Sequence, residues 1–180
     1  MERHDDVELL ASRSVFQGRI FELVEESVRL PSGLRQDVVV VDHPGAVCVA
    51  PLLASGELLL VRQYRHAAGA WLTEIPAGRL EPDEPRQAAA ERELEEETGH
   101  RATRWELLED FYAAPGFCSE RMTLFLASGL EEVPGGGLAA DDDEELELVR
   151  ARPSELLAGA SCDAKTILAA AVLVARGLGR

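Results

Sequence analysis

The order of segments along this chain, hairpins first, then one helix, then strands, then two helices, predicts a mixed α/β (α+β) fold. A mixed β-sheet carries helices on its faces, and a β-hairpin arm precedes it. Three observations carry that expectation. Strand-like segments outnumber helical ones, a helix bounded by Pro85 and Gly99 interrupts them, and 180 residues at 46% hydrophobic content suffice for one buried core without staples.

Each element has its own local reason. Phe21 to Leu30 and Gln36 to Asp42 read as strands joined by the turn residues Pro31, Ser32 and Gly33. Ala46 to Leu53 and Glu57 to Gln63 read as a second hairpin turning at Ser55 and Gly56. A short strand at Leu72 to Ile75 leads into Pro76, Ala77 and Gly78, then a loop, then the helix. Further strands are expected at Trp105 to Phe111, Met122 to Ala127 and Glu145 to Arg150. A short helix near Ser154 to Leu157 and a longer one from Ala164 to Arg176 follow, the second capped by Asp163. The first forty residues alternate too regularly for a disordered tail, so residues 1–42 are read as an N-terminal β arm, used in dimerisation or forming an ordinary extra sheet, and 43–180 as the main domain. Pro134 to Gly137, followed by the acid run Asp141 to Glu145, reads as a loop.

Composition narrows the function classes. A formal net charge of −15 argues against general affinity for nucleic acid or anionic membranes, which rely on clustered lysine and arginine. A phosphate-bearing substrate would need cations to bridge it to so acidic a protein. Cys48, Cys118 and Cys162 are odd in number and lack paired ligand spacing, so they read as reduced thiols of a cytoplasmic protein. No apolar signal segment follows the charged stretch Met1 to Asp6, which points away from secretion. The longest apolar run, Ile167 to Ala175, is too short to span a bilayer.

The helix after Pro85 is the chemically informative element. Glu93, Glu96 and Glu97 fall in its last turn, beside the negative end of the helix dipole, and within about a third of its circumference. Like charges at helical neighbour spacing each disfavour folding by roughly 0.2 to 0.5 kcal/mol, and with the dipole the sum is on the order of 1 to 3 kcal/mol. A bound divalent cation would offset that; a solvated acidic face is the bland alternative. Arg92 stands four positions before Glu96 and can hold its carboxylate, while Ala90 and Leu94 form an apolar strip that can seat the helix on a sheet.

Gly78, Glu84, Arg92, Glu93, Leu94, Glu96, Glu97 and Gly99 fill eight fixed positions of a pattern running over 23 residues, with five residues between Gly78 and Glu84, seven between Glu84 and Arg92, and Glu95 and Thr98 at free positions. This arrangement resembles the Nudix hydrolase signature, with one departure at its end, where His100 replaces a bulky apolar residue. The resemblance implies an alpha/beta/alpha sandwich around a mixed sheet and hydrolysis of a nucleoside diphosphate linked to another group. It implies Glu93, Glu96, Glu97 and the carbonyl of Ala77 as ligands for Mg²⁺, with Mn²⁺ able to substitute. It also implies that Arg92 orients a glutamate and that Glu84 supports the loop through the helix N-terminus.

Features outside that box are similar to those of ADP-ribose pyrophosphatases. They are Glu74 to Gly78, the pair Gln63 and Arg65, and Pro115, sixteen residues after Gly99 in the loop Ala114 to Arg121 that holds Ser119 and Glu120. The resemblance implies a homodimer whose N-terminal strands are exchanged and help bind adenine, through Arg35 and Asp37. It draws the catalytic base, or an extra ligand, from the acid run, with Glu144 first and Asp142 second. Each expectation has a plainer rival. Arg65 is expected to bind a phosphate, or else pairs with a surface acid; Glu74 is expected to accept a hydrogen bond from adenine, or else satisfies a loop amide; Trp71 and Phe16 stack on a base or are ordinary interface aromatics; and His66 and His100 read as structural.

Overall fold

The computed structural model describes residues 4–135 and 146–179. Its elements run β1 (Glu8–Gln17), β2 (Glu22–Arg29), β3 (Arg35–Asp42), β4 (Ala46–Leu52), β5 (Leu58–Arg65), β6 (Ala70–Glu74), β7 (Ala77–Arg79), α1 (Arg86–Thr98), β8 (His100–Tyr112), β9 (Arg121–Glu132), β10 (Glu147–Ala151), α2 (Pro153–Leu157) and α3 (Ala164–Ala175). By contacts the chain divides into a smaller unit, residues 1–45 and 111–122, and a larger one, residues 46–110 and 123–180.

The smaller unit is built on an antiparallel three-stranded sheet in the order β1-β2-β3. Its second hairpin is the expected one, closed by Gly33 at φ 85° with its amide on the Leu30 carbonyl. Strand β1 lacks a clean apolar alternation; it pairs antiparallel with β2, and exposed cross-strand ion pairs, Arg13 to Glu25 at 2.5 Å and Arg29 to Glu8 at 2.7 Å, add to that ladder. The loop after β8 joins this unit through Val41 and Phe117 at 2.8 Å and Ser119 and Val41 at 2.9 Å, amide to carbonyl in each case.

In the larger unit a seven-stranded sheet runs β10-β5-β4-β9-β8, with β6 on β5 and β7 on β4. The hairpin read from Ala46 to Gln63 pairs in register only at Leu52 and Leu58, next to its turn. Beyond that point β4 and β5 diverge, and β6 and β7 fill the gap. Val61 to Arg65 pair with Glu74 to Ala70, Cys48 pairs with Ala77, and Val47 with Gly78. The segment Ala77 to Arg79, given no element in the sequence reading, is therefore strand, because the free edge of β4 offers its amides and carbonyls partners there.

Strand β4 is buried on both faces, which explains its unbroken apolar run. Val47 and Val49 pack against Ala89, Ala90 and Leu94 of α1 together with Phe125 and Ala127, so the apolar strip seats the helix as expected. Cys48 and Ala50 alternate to the opposite face, and α3 contributes buried Thr166, Ala169, Ala170 and Leu173. The first turn of α1 is pinned to β8 by Arg86, which bonds both oxygens of Asp110 at 3.2 Å. Among the described residues no helix is long and apolar enough to cross a membrane.

Candidate functional site

Helix α1 begins after Pro85, whose fixed φ of −63° suits a helix entry, and ends at Gly99, whose φ of 69° is the left-handed cap a glycine adopts freely. Its last turn holds no basic residue, so nothing within the helix end itself offsets the dipole there. The acids divide by face. Glu95 pairs outward with Arg101 at 2.6 Å and Glu91 accepts from Gln87 at 2.9 Å, whereas Glu93 and Glu97 are buried, each 8% exposed.

Arg92 ties this face together. Its guanidinium forks onto Glu84 with Nε and Nη2 each at 3.0 Å, and its Nη1 reaches Glu93 at 2.6 Å and Glu96 at 3.0 Å. The expected Arg92 to Glu96 contact is present, but Glu84 acts through Arg92 and through the Glu81 amide at 3.2 Å, not through the helix N-terminus. The hydrogen bonds to Glu84 come first in holding the Arg92 pKa above its usual value, and they push Glu84 below the ordinary carboxylate range.

Glu93 behaves in the opposite sense. Burial raises its pKa, and the hydrogen bond and charge of Arg92 only partly counter that. The strand β7 backbone lies so close that a Cβ on Gly78 would meet the Glu93 carboxyl carbon at 2.0 Å. A buried carboxylate that resists ionisation, backbone pressed against it and further carboxylates on the same helical face form an oxygen-rich donor set of the kind a hard divalent cation takes. The residues fit such an ion in chemistry. In this conformation the Arg92 guanidinium bridges Glu93 and Glu96, and among the described residues no three His, Cys, Asp or Glu side chains converge on one metal position.

A second charged cluster lies in the same unit. Arg65, at the end of β5, forks onto Glu74 of β6 with both bonds at 2.7 Å. Glu74 is 1% exposed, and its other cation is Lys165 of α3, whose Nζ lies 2.5 Å from Oε2 and also bonds Asp163. Burial would raise the Glu74 pKa, but the bonds from Arg65 and the charge of Lys165 win and lower it to about 2. Burial would likewise lower the Lys165 pKa, and the charges of Asp163 and Glu74 reverse that. The field of Glu97 reaches Arg65 as well, so the two clusters are electrostatic neighbours.

The remaining expected residues lie in the smaller unit or beyond the described residues. Ser119 donates to Asp42 at 2.8 Å and accepts the His43 amide at 2.8 Å, while Glu120 lies 3.9 Å from His43 Nδ1. Asp37 accepts from Ser27 across the β2–β3 ladder, and Arg35 stands exposed opposite Arg29. Asp142 and Glu144 lie outside the described residues.

The NUDIX domain family model matches residues 42–170, and the larger part of the chain is thus accounted for. The chain belongs to the Nudix family. Among Nudix relatives it is 38% identical over 140 residues to the ADP-ribose pyrophosphatase of Bacillus subtilis (strain 168), covering 78% of this chain and 75% of that protein. To the ADP-ribose pyrophosphatase of Mycobacterium tuberculosis it is 42% identical over 134 residues, covering 74% of this chain and 64% of that protein. A solved structure described as an ADP compounds hydrolase shares the fold with a TM-score of 0.79 at 23% identity, covering 98% of this chain and 96% of that one.

Sequence reasoning missed one part of this Nudix domain, the Lys165 and Asp163 side of the Glu74 cluster. The signal available was Asp163 at a helix cap followed by a lysine, the single charge in the largely apolar run Ala164 to Ala175. His100, the departure from the Nudix signature, is 9% exposed and turns its Nδ1 to the Thr98 carbonyl at 2.7 Å.

Proposed function

We propose that this Nudix protein hydrolyses the diphosphate of ADP-ribose to AMP and ribose 5-phosphate in the cytoplasm, as a homodimer and with Mg²⁺, for which Mn²⁺ can substitute. The observation that carries the substrate is the similarity, at 38% and 42% identity, to two relatives named ADP-ribose pyrophosphatase. Pro115 and the loop around it support the same reading.

Glu93, Glu96, Glu97 and the carbonyl of Ala77 would hold the ion. When bound, the ion supplies neutralisation of the diphosphate and a water acidified enough to attack it. Arg92 keeps Glu93 and Glu96 aligned on one face, and Glu84 keeps Arg92 in place. Arg65 directs cationic donors to the diphosphate while Glu74 anchors it, and Ser119 and Glu120 hold the loop for the terminal ribose. Arg35 and Asp37 serve the adenine end across the dimer. Glu144, or Asp142 in second place, takes the proton of the attacking water.

The test is a hydrolysis screen with ADP-ribose, NADH, GDP-mannose, FAD and coenzyme A, with and without Mg²⁺, read by product chromatography. Metal-dependent turnover of ADP-ribose ahead of the others is the expected result. Turnover of another compound alone overturns the substrate, and no turnover of any overturns the enzyme reading in favour of a nucleotide-sensing domain. Size-exclusion chromatography with light scattering tests the homodimer.

A further inference from the structure

We propose that Lys165 is a positioning residue for Arg65, acting through the carboxylate of Glu74 that lies between them. The inference rests on the reading that Arg65 contacts the substrate diphosphate, and its anchoring half can be tested without that reading.

An arginine at a strand end samples many rotamers unless its fork is held. Here Glu74 takes Nε and Nη2, both at 2.7 Å, and the side chain of Arg65 remains 41% exposed beyond that bidentate contact. The plane of the Glu74 carboxylate therefore sets the direction of the guanidinium. Glu74 is itself fixed from behind by Lys165, which is 7% exposed and bonds Oε2 at 2.5 Å.

Lys165 has little freedom of its own. It stands in the first turn of α3, where Asp163 both caps the helix, accepting the Thr166 amide at 3.1 Å, and bonds the lysine. The segment Ser161 to Thr166, which leads into α3, grips the chain on either side of Glu74. The Thr73 amide donates to the Ser161 carbonyl at 2.8 Å, and the Ile75 amide donates to Thr166 Oγ1 at 2.9 Å. This segment thus holds one buried carboxylate through the charge of Lys165 and its two neighbours by their amides, with Glu74 four positions before Gly78.

The four side chains form a neutral set, Arg65 and Lys165 against Glu74 and Asp163. Without Lys165, one cation faces two acids, with the field of Glu97 added, and Arg65 is drawn from its outward pose to satisfy them. Loss of an interaction made equally in the ground and transition states raises KM and leaves kcat. A purely structural lysine would leave KM untouched, since loss of folded protein lowers only the apparent kcat.

Two readouts decide the matter. In the ¹⁵N-labelled protein, Arg65 should give a protected Nε–H signal near neutral pH, identified by its absence in Arg65→Lys. Lys165→Gln should lose that protection, raise KM about tenfold for the nucleotide turned over fastest, and keep kcat within about threefold. Lys165→Arg should restore most of both. A folded Lys165→Gln protein with the wild-type Arg65 signal and KM overturns the proposal, and so does a fall in kcat at unchanged KM. If Lys165→Gln does not fold, the wild-type spectrum decides alone, because an unprotected Arg65 signal there overturns the anchor. A wild type that hydrolyses none of the nucleotides sinks the functional reading, while the spectra still decide the anchoring.

Discussion

A methyl group added at Gly78 would lie 2.0 Å from the carboxyl carbon and one oxygen of Glu93 and 2.3 Å from the other oxygen. Ordinary contact needs about 3.4 Å, so the carboxyl must retreat by about 1.4 Å or β7 must leave β4. The φ of Gly78 is not in the left-handed region, so alanine adds no backbone strain. The obstructing atoms belong to the end of a flexible side chain, and moving it is easier than breaking the Val47 to Gly78 pairing. The stability loss should then fall at or below the low end of the overpacking range, about 1 kcal/mol, or about 2–4 °C in melting temperature for a chain of this size. Turnover should suffer far more, because a displacement of about 1 Å in a catalytic group can reduce rate on the order of a hundredfold. Thermal melts and kcat/KM for ADP-ribose at saturating Mg²⁺, measured on Gly78→Ala and wild type together, give both quantities. Wild-type turnover in a folded Gly78→Ala protein would refute the role given to Glu93 against that backbone.

Three other perturbations have signs that follow from the same geometry. Glu97→Gln should lower turnover at least on the order of a hundredfold, while its melting temperature in metal-free buffer holds or rises, since one repelling charge is gone; a drop in metal-free stability would contradict the electrostatic argument. Arg92→Lys should destabilise the protein by about 2–4 kcal/mol in urea unfolding, because one ammonium cannot fork onto Glu84 while bonding Glu93 and Glu96, and an unchanged midpoint would show the clamp is idle. The Glu74 carboxyl has its pKa lowered from 4.5 to about 2, so its stabilisation is fully present above pH 4.5 and is lost as pH falls from there towards 2. Melting curves across that window should fall less steeply for Glu74→Gln than for wild type, and parallel curves would remove Glu74 from the acid limb.

Local signals made most of the elements legible. Pro85 and Gly99 mark α1 within a residue at each end, and Asp163 caps α3 as its residue type suggests. Strand β1 escaped notice because its own apolar period is broken, and its place is set by the antiparallel ladder with β2. Strand β7 escaped because it has three residues, two of them Ala77 and Gly78, and exists only where β4 leaves an edge free. The helix spacing exposed the acidic face of the site and the Arg92 to Glu96 contact, which lie four positions apart. The Arg92 fork onto Glu84 and the Lys165 support of Glu74 join residues whose proximity depends on the tertiary fold. No period along the chain encodes them.

The bond from the Ile75 amide to Thr166 spans 91 positions. A chain being synthesised therefore exposes the strand before Gly78, with its buried glutamate, long before the segment that completes it has been made. Closure of that long loop belongs late in folding, since distant contacts form only after their entropy of closure is met. Pulsed hydrogen exchange during refolding should therefore protect the Ile75 amide after those of the β5–β6 hairpin, and simultaneous protection would contradict that order.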